Sequence, residues 1–332
     1  MPGCGGAVAG VGVDGARRPL MHDARMAADR PLAPRRPGLI GFRIAPAKSD
    51  ALDWTRLDET WALAGELGVF DAGWLSDHLS DATRERGGPS FESLTTAAAL
   101  AHRVSGMWIG IAVISNTFRH PAVVAKAATV IDHATGGRFI LGLGAGWHAG
   151  EHEAFGIPLP PMAERFDRYE SGIRAIAALL SDEARSEPGV TIDDARYPLR
   201  AATNEPPPTR PGGPPIWLGG QKRRGIALAV RYADGWPMPG NRPGDVDYFA
   251  SKRDEIRSAL DAAGRDPDAF AFAAQLTCGT TPAARASTLE LARRFVRAGA
   301  NHVILALPTA AAPDGLADIA SEVAEPLRER AT

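Results

Sequence analysis

The chain has 332 residues, 45% of them hydrophobic, and a formal net charge of −2. That is ample apolar material for a large core, and it lacks the basic footprint of nucleic-acid binding. No apolar run approaches the roughly 18 residues of a membrane span, and two distant cysteines, Cys4 and Cys278, supply neither a disulfide framework nor a cysteine zinc site, which points to a reducing, cytoplasmic setting.

Residues 1–36 are rich in Gly, Ala, Arg and Pro, carry no sustained period, and predict a disordered N-terminal tail. The twin-arginine pair Arg17–Arg18 is not followed by the apolar stretch an export signal needs. From Pro37 onward, short apolar runs alternate with longer amphipathic segments. A strand at Leu39–Ala45 leads to a helix at Trp54–Leu67, with Gly68 as its cap. Phe70–Ser76 leads to Phe91–Val104, and Trp108–Ile114 to Pro121–Ala134, where Pro121 suits a first helical turn. Phe139–Leu143 leads to Met162–Leu180, Pro215–Leu218 to Arg223–Tyr232, and Asp234–Trp236 to Val246–Ala263. Phe270–Thr277 with Pro282–Ala298, and His302–Leu307 with Leu316–Arg328, complete the series.

The strands are continuous apolar runs, as expected when helices cover one face and a packed interior the other. Repetition of the unit predicts parallel pairing and closure into a (β/α)8 TIM barrel over residues 37–330; an open doubly wound sheet is the structural alternative. Two segments break the rhythm. Leu79–Pro89 is a connection on the face where strands end, and Ser186–Pro214 is an arm with a short strand near Val190–Ile192.

In such a barrel the strand C-termini build the site. The second strand ends in Ser76-Asp77-His78, which reads either as a turn-capping Asp beside a half-exposed His or as a catalytic pair. The third exits through Ser115-Asn116-Thr117, either a helix-capping turn or a polar cluster at the site. The fourth ends in Gly142-Leu143-Gly144-Ala145-Gly146-Trp147-His148, glycines that let backbone approach a flat ligand. A dinucleotide fingerprint is a poor match, since no helix pattern opens there before Gly156. The fifth runs into Gly219-Gly220-Gln221 and a helix beginning with basic residues, a suitable phosphate seat. His148 and His152 lack the H-E-x-x-H order, and no metal is expected.

The ordered set Ser76-Asp77-His78, Gly110–Pro121, Gly136-Gly137-Arg138-Phe139, Leu141–Trp147, Glu164-Arg165-Phe166-Asp167-Arg168, and Pro215–Gly220 followed by Ala233-Asp234-Gly235-Trp236 resembles the luciferase-like monooxygenase superfamily, and most of all its branch that uses the deazaflavin coenzyme F-420. The resemblance spans Gly38 to Leu327. It implies an oxidoreductase with His78 as proton donor or polariser beside the cofactor ring, and Asp77 in the same pocket. It implies a non-prolyl cis peptide at Ala112–Val113 behind the ring, Ser115 or Thr117 at the cofactor's polar edge, and Gly144, Ala145 and Gly146 along the ring or side chain. Trp147 stands where some deazaflavin dehydrogenases carry an acid, which argues against their sugar-phosphate substrates. Gly219, Gly220 and Gln221 would hold the phosphate. A small-molecule substrate, a homodimer and a separate reductase that regenerates the cofactor are also implied. The competing classes are an FMN-dependent monooxygenase using reduced flavin and O2, and a non-catalytic flavin-binding barrel.

Overall fold

The computed structural model describes residues 36–45, 53–80, 89–104, 106–242, 244–308 and 311–329, all of which fall within one compact unit, Ala33–Thr332. The predicted tail apart from Arg36, Cys4, and most of the Leu79–Pro89 connection lie outside the described residues.

Strand and helix alternate as the hydrophobic pattern requires. The first half runs β1 (Ile40–Ala45), α1 (Trp54–Leu67), β2 (Ala72–Leu75), α2 (Ser93–Leu100), β3 (Trp108–Ser115), α3 (Pro121–Ala134), β4 (Phe139–Gly144), α4 (Ala149–Ala154) and α5 (Met162–Leu180). A hairpin follows, β5 (Val190–Ile192) and β6 (Leu199–Ala202), paired antiparallel. The second half runs β7 (Ile216–Leu218), α6 (Arg223–Tyr232), β8 (Gly235–Pro237), α7 (Val246–Ala262), β9 (Ala271–Thr277), α8 (Pro282–Arg297) and β10 (His302–Pro308). A C-terminal helical segment closes the chain as α9 (Gly315–Ile319), a π-helical stretch (Ala320–Ala324) and α10 (Glu325–Glu329).

The sheet closes on itself in the order β1-β2-β3-β4-β7-β8-β9-β10, and β10 pairs with β1 again. Every pairing in it is parallel. This is the TIM barrel that the eight-fold repetition predicts, not an open sheet. The hairpin stands outside the barrel and accounts for the long Ser186–Pro214 arm. Among the described residues, no helix is long and apolar enough to cross a membrane.

One expectation fails locally. A short helix, α4, does open soon after Gly146, with the His148 side chain accepting a hydrogen bond from the Glu151 amide as its cap. Six residues carry too little period to show as a pattern, and Gly150 in the second position weakens the propensity further. The helix predicted over Phe91–Val104 is shorter at both ends, running Ser93–Leu100; at its start Glu92 caps it through the Leu94 and Thr95 amides.

Two layers of apolar side chains make the core. The larger lies between sheet and helices, including Trp61, Ile109, Phe139, Tyr169, Phe249 and Phe295. The smaller plugs the barrel interior around Trp74 and Trp217, whose ring centroids lie 4.8 Å apart. Glycines on neighbouring strands make room for these indoles. A Cβ on Gly41 would meet Trp74 Nε1 and His302 Nε2, each at 2.6 Å.

His302 sits in this plug, 1% exposed. Its Nδ1–H donates to the Gly38 carbonyl at 2.6 Å, and its Nε2 accepts from Trp74 Nε1 at 2.9 Å. Both nitrogens are therefore committed in the neutral form. Burial pushes the pKa down to about 4, against the opposing pull of the Gly38 carbonyl. Unfolded, the same ring titrates near 6.5. Below that value the unfolded chain binds the proton the native state refuses, so stability falls as pH drops from about 6.5 towards 4. Urea unfolding at pH 7 and pH 5 is expected to show a loss of about 2 kcal/mol from this group. In His302→Gln the pH-dependent part should shrink, and an unchanged slope would assign the acid sensitivity elsewhere.

Candidate active site

The C-terminal ends of the strands surround a cavity of about 720 Å3, within the usual range for a small-molecule or cofactor site. Residues from β1, β2, β3, β4, β7, β8 and β9, or from the segments just after them, line it.

His78 leaves β2 on this face, and its side chain is 24% exposed. Its Nδ1 lies 3.1 Å from Glu151 Oε2, on α4. Glu151 is 2% exposed, and its other oxygen accepts from the Leu79 amide and, at 3.1 Å, from the Ser80 amide. A carboxylate bonded to two backbone amides is an acceptor only, so His78 Nδ1 carries the proton and donates it. Nε2 then has no partner among the described residues. The carboxylate thus fixes the tautomer and the ring orientation at once, as a third group does for a catalytic base.

No sequence pattern singles out Glu151, and its neighbours His148 and His152, whose spacing invites a metal reading, have other work. His148 caps α4. His152, 2% exposed, donates from Nδ1 to the His148 carbonyl at 2.8 Å and takes a hydrogen bond at Nε2 from Thr117 Oγ1, 2.6 Å away. Thr117 Oγ1 is 2.7 Å from Ser115 Oγ. With Nδ1 as donor the neutral ring is an acceptor at Nε2, so Thr117 donates to His152 and Ser115 donates to Thr117. Ser115 Oγ therefore turns its lone pairs to the cavity it lines. The signal that could have found Glu151 is an acid three residues past His148 on the barrel's functional face.

Asp77 also lines the cavity, but its oxygens are committed. Arg119 binds it at both oxygens, 2.9 and 2.7 Å, while Ser93 Oγ donates to Oδ1 at 2.6 Å and the Ser115 amide to Oδ2 at 2.8 Å. Glu92 joins the same guanidinium. An Asp so fully bonded positions its surroundings, holding the end of β3 to the end of β2, and has no lone pair to spare for proton transfer.

On β3 the peptide between Ala112 and Val113 is cis, as the resemblance implied. The β3–β4 register shifts between Ile111 and Ile114, which forms a bulge. Both Ala112 and Val113 turn half-open to the cavity, whereas their neighbours are buried. Val113 packs so close to β4 that a Cβ on Gly144 would meet its Cγ2 at 2.6 Å. Gly144, Ala145, Gly146, Trp147, Gly219, Gly220 and Gln221 all line the same space. Thr117 does not, contrary to its assignment as a cofactor contact: it stands behind Ser115 as the middle of the hydroxyl chain. The turn Ser115-Asn116-Thr117 does not cap α3 either, since His120 does so through the Ala122 amide.

Beside Gly219 and Gly220, α6 begins with no side-chain cap. The Gly220 carbonyl is held by Trp236 Nε1 at 2.8 Å, and Gln221 Oε1 accepts from Tyr248 Oη at 2.6 Å. Of the basic residues there, Arg224 is spent on Asp167 and Glu170. Trp147 stands 66% exposed at the mouth, its ring edge-on to His78 with centroids 6.0 Å apart.

The closed parallel barrel gathers a carboxylate-held histidine, a cis-peptide bulge and a helix N-terminus without a side-chain cap around one cavity at its strand ends. The chain belongs to the luciferase-like monooxygenase family, whose model matches residues 38–330. It is 34% identical over 224 residues to a phthiodiolone/phenolphthiodiolone dimycocerosates ketoreductase of Mycobacterium kansasii, covering 62% of this chain and 58% of the relative. It is 30% identical over 223 residues to the F-420-dependent glucose-6-phosphate dehydrogenase of Microbacterium testaceum, covering 67% of this chain and 63% of that one. The chain thus spans under two thirds of the length of these curated relatives. Among solved structures, a monooxygenase from Streptomyces bottropensis shares the fold, with a TM-score of 0.71, 18% identity, and coverage of 89% of this chain and 100% of that one.

Proposed function

We propose that the protein is a deazaflavin-dependent oxidoreductase that moves a hydride between coenzyme F-420 and a small organic substrate. The observation that carries this reading is the His78–Glu151 pair at one wall of a cavity whose other walls offer the β3 bulge and the uncapped start of α6. The similarity to a ketoreductase and to an F-420-dependent dehydrogenase supports the same chemistry.

The residues fit such a cofactor. The cavity is large enough for a tricyclic ring with a substrate above it. Ala112 and Val113 present a small apolar face, and Gly144 to Gly146 leave backbone where a side chain would obstruct. Ser115 offers an acceptor for a ring N–H. Gly219, Gly220 and the first amides of α6, with exposed Lys222 and Arg223 nearby, suit a phosphate. When bound, the deazaflavin gives or takes the hydride, and the protein supplies position and a proton. In the reducing direction His78 gives a proton from Nε2 to the substrate oxygen. In the oxidising direction it removes one. Glu151 keeps Nε2 aimed at the cavity and balances the charge on the ring while it is protonated.

A second reading, an FMN-dependent monooxygenase, draws on the family's own description. Titration of the purified chain separates the two. Saturable binding of the deazaflavin, with FMN at least about tenfold weaker, is the expected result. The reverse order of affinity assigns the monooxygenase chemistry, and binding of neither removes both.

A further inference from the structure

Charge is distributed unevenly over the cavity wall. Asp77 is neutralised by Arg119, and both oxygens of Glu151 are turned to His78 and to the backbone amides of Leu79 and Ser80. His148 and His152 are spent on the cap and the hydroxyl chain. Arg43 remains. It lies near the end of β1, lines the cavity, and makes one hydrogen bond, from Nη1 to Ser76 Oγ at 3.2 Å. Its Nε is buried with no partner, and among the described residues no carboxylate pairs with it. Burial pushes the guanidinium below its ordinary pKa, with no acid opposing the shift. An arginine cannot escape burial by losing its proton in the physiological range, so it remains a cation with one neutral partner among the described residues. Such a group is costly in the empty fold and becomes favourable once an anion fills the gap.

The barrel order says which part of the contents meets it. From β1 the route to β7 is four steps in either direction, through β2, β3 and β4 or through β10, β9 and β8. Arg43 therefore lies across the mouth from Gly219 and Gly220, where a cofactor phosphate is best received. It shares the β1–β2 wall with Ser76 and His78, beside the proton-bearing group.

We propose that Arg43 anchors a carboxylate on the substrate, so that the enzyme prefers oxo or hydroxy acids to neutral carbonyl compounds. The reaction part rests on the deazaflavin reading; the charge preference does not. In the reducing direction the carbonyl carbon gains the hydride from the reduced deazaflavin, its oxygen gains the proton from His78, and the carboxylate on Arg43 is unchanged. The planar guanidinium can offer Nη2 to that carboxylate while Nη1 stays on Ser76, fixing which face of the adjacent carbon is presented.

The test is calorimetric titration with pyruvate, α-ketoisocaproate and phenylpyruvate, each beside its methyl ester, on the full chain with and without deazaflavin. At least one acid is expected to bind about tenfold or more tightly than its ester. Arg43→Gln should bring acid and ester together while leaving cofactor affinity alone, and Arg43→Lys should restore part of the preference. Esters binding as well as acids, no binding by any acid, or a preference that survives in Arg43→Gln would each overturn the proposal. So would a loss in Arg43→Gln of cofactor affinity in place of acid preference, since the guanidinium would then serve the cofactor's own acidic groups. Failure of the deazaflavin to bind would be seen separately in the cofactor titration, with acid against ester still readable in the protein alone.

Discussion

Replacing His78 with alanine is expected to lower kcat by about two to four orders of magnitude, with cofactor affinity held within about twofold. The expectation follows from where the ring stands. It reaches the cavity from β2 as one ring among many lining residues, held by Glu151, so its loss removes a proton carrier and little binding surface. Glu151→Gln keeps the shape of the partner but removes its charge, so a smaller loss of about tenfold in kcat is expected. Glu151 also ties down the Leu79 and Ser80 amides, and Glu151→Ala should therefore disturb KM as well as kcat. Steady-state rates and cofactor titration on the three variants check the set. Full turnover in His78→Ala would remove the proton-transfer role, and equal losses in KM and kcat for Glu151→Gln would reduce Glu151 to a loop anchor.

How much of this was legible in the sequence depended on length and burial. The barrel was, because strands such as β4 are buried along their whole length and must read as continuous apolar runs. Helices of fourteen residues or more, such as α1, α3 and α5, declared themselves by period and by Pro or Gly at their ends. Helix α4 did not, since six residues cannot show a period, and with it went the link from His78 to Glu151. The cis peptide followed from the family resemblance alone; no propensity in Ala112-Val113 announces it. Thr117 was misplaced for a related reason. A loop sequence shows that hydroxyls cluster but not which one faces the cavity, and that is settled by His152, 35 residues away. Nothing in the sequence sets Arg43 apart from the chain's many other arginines. Its isolation appears only when the acids around the cavity are seen to be already paired.

Asp77 is where a catalytic reading and a structural reading make opposite forecasts. If it moved a proton, Asp77→Ala would cost activity and leave stability nearly intact. The bonds around it forecast the reverse. Removing the carboxylate strips Arg119, whose side chain is 13% exposed, of its bidentate partner and leaves the Ser93 hydroxyl and the Ser115 amide without an acceptor. Breaking a buried pair from one side typically costs about 3–5 kcal/mol, and because Glu92 still holds Arg119 the lower end, about 3 kcal/mol, is expected here. Urea unfolding would show it as a lowered midpoint with an unchanged slope. The double variant Asp77→Ala with Arg119→Leu should recover part of the loss, because the charge stranded by the first change is gone; the coupling between the two positions is the measure of the ion pair. Additive losses would mean that the two side chains matter separately and that the pair does not hold the ends of β2 and β3 together. Ser115 depends on that link, since its amide donates to Asp77 while its hydroxyl begins the chain to His152. A weakened cofactor affinity in Asp77→Ala, with kcat at saturation largely kept, is therefore the kinetic companion of the stability loss. It separates a residue that places the cavity wall from one that reacts within it.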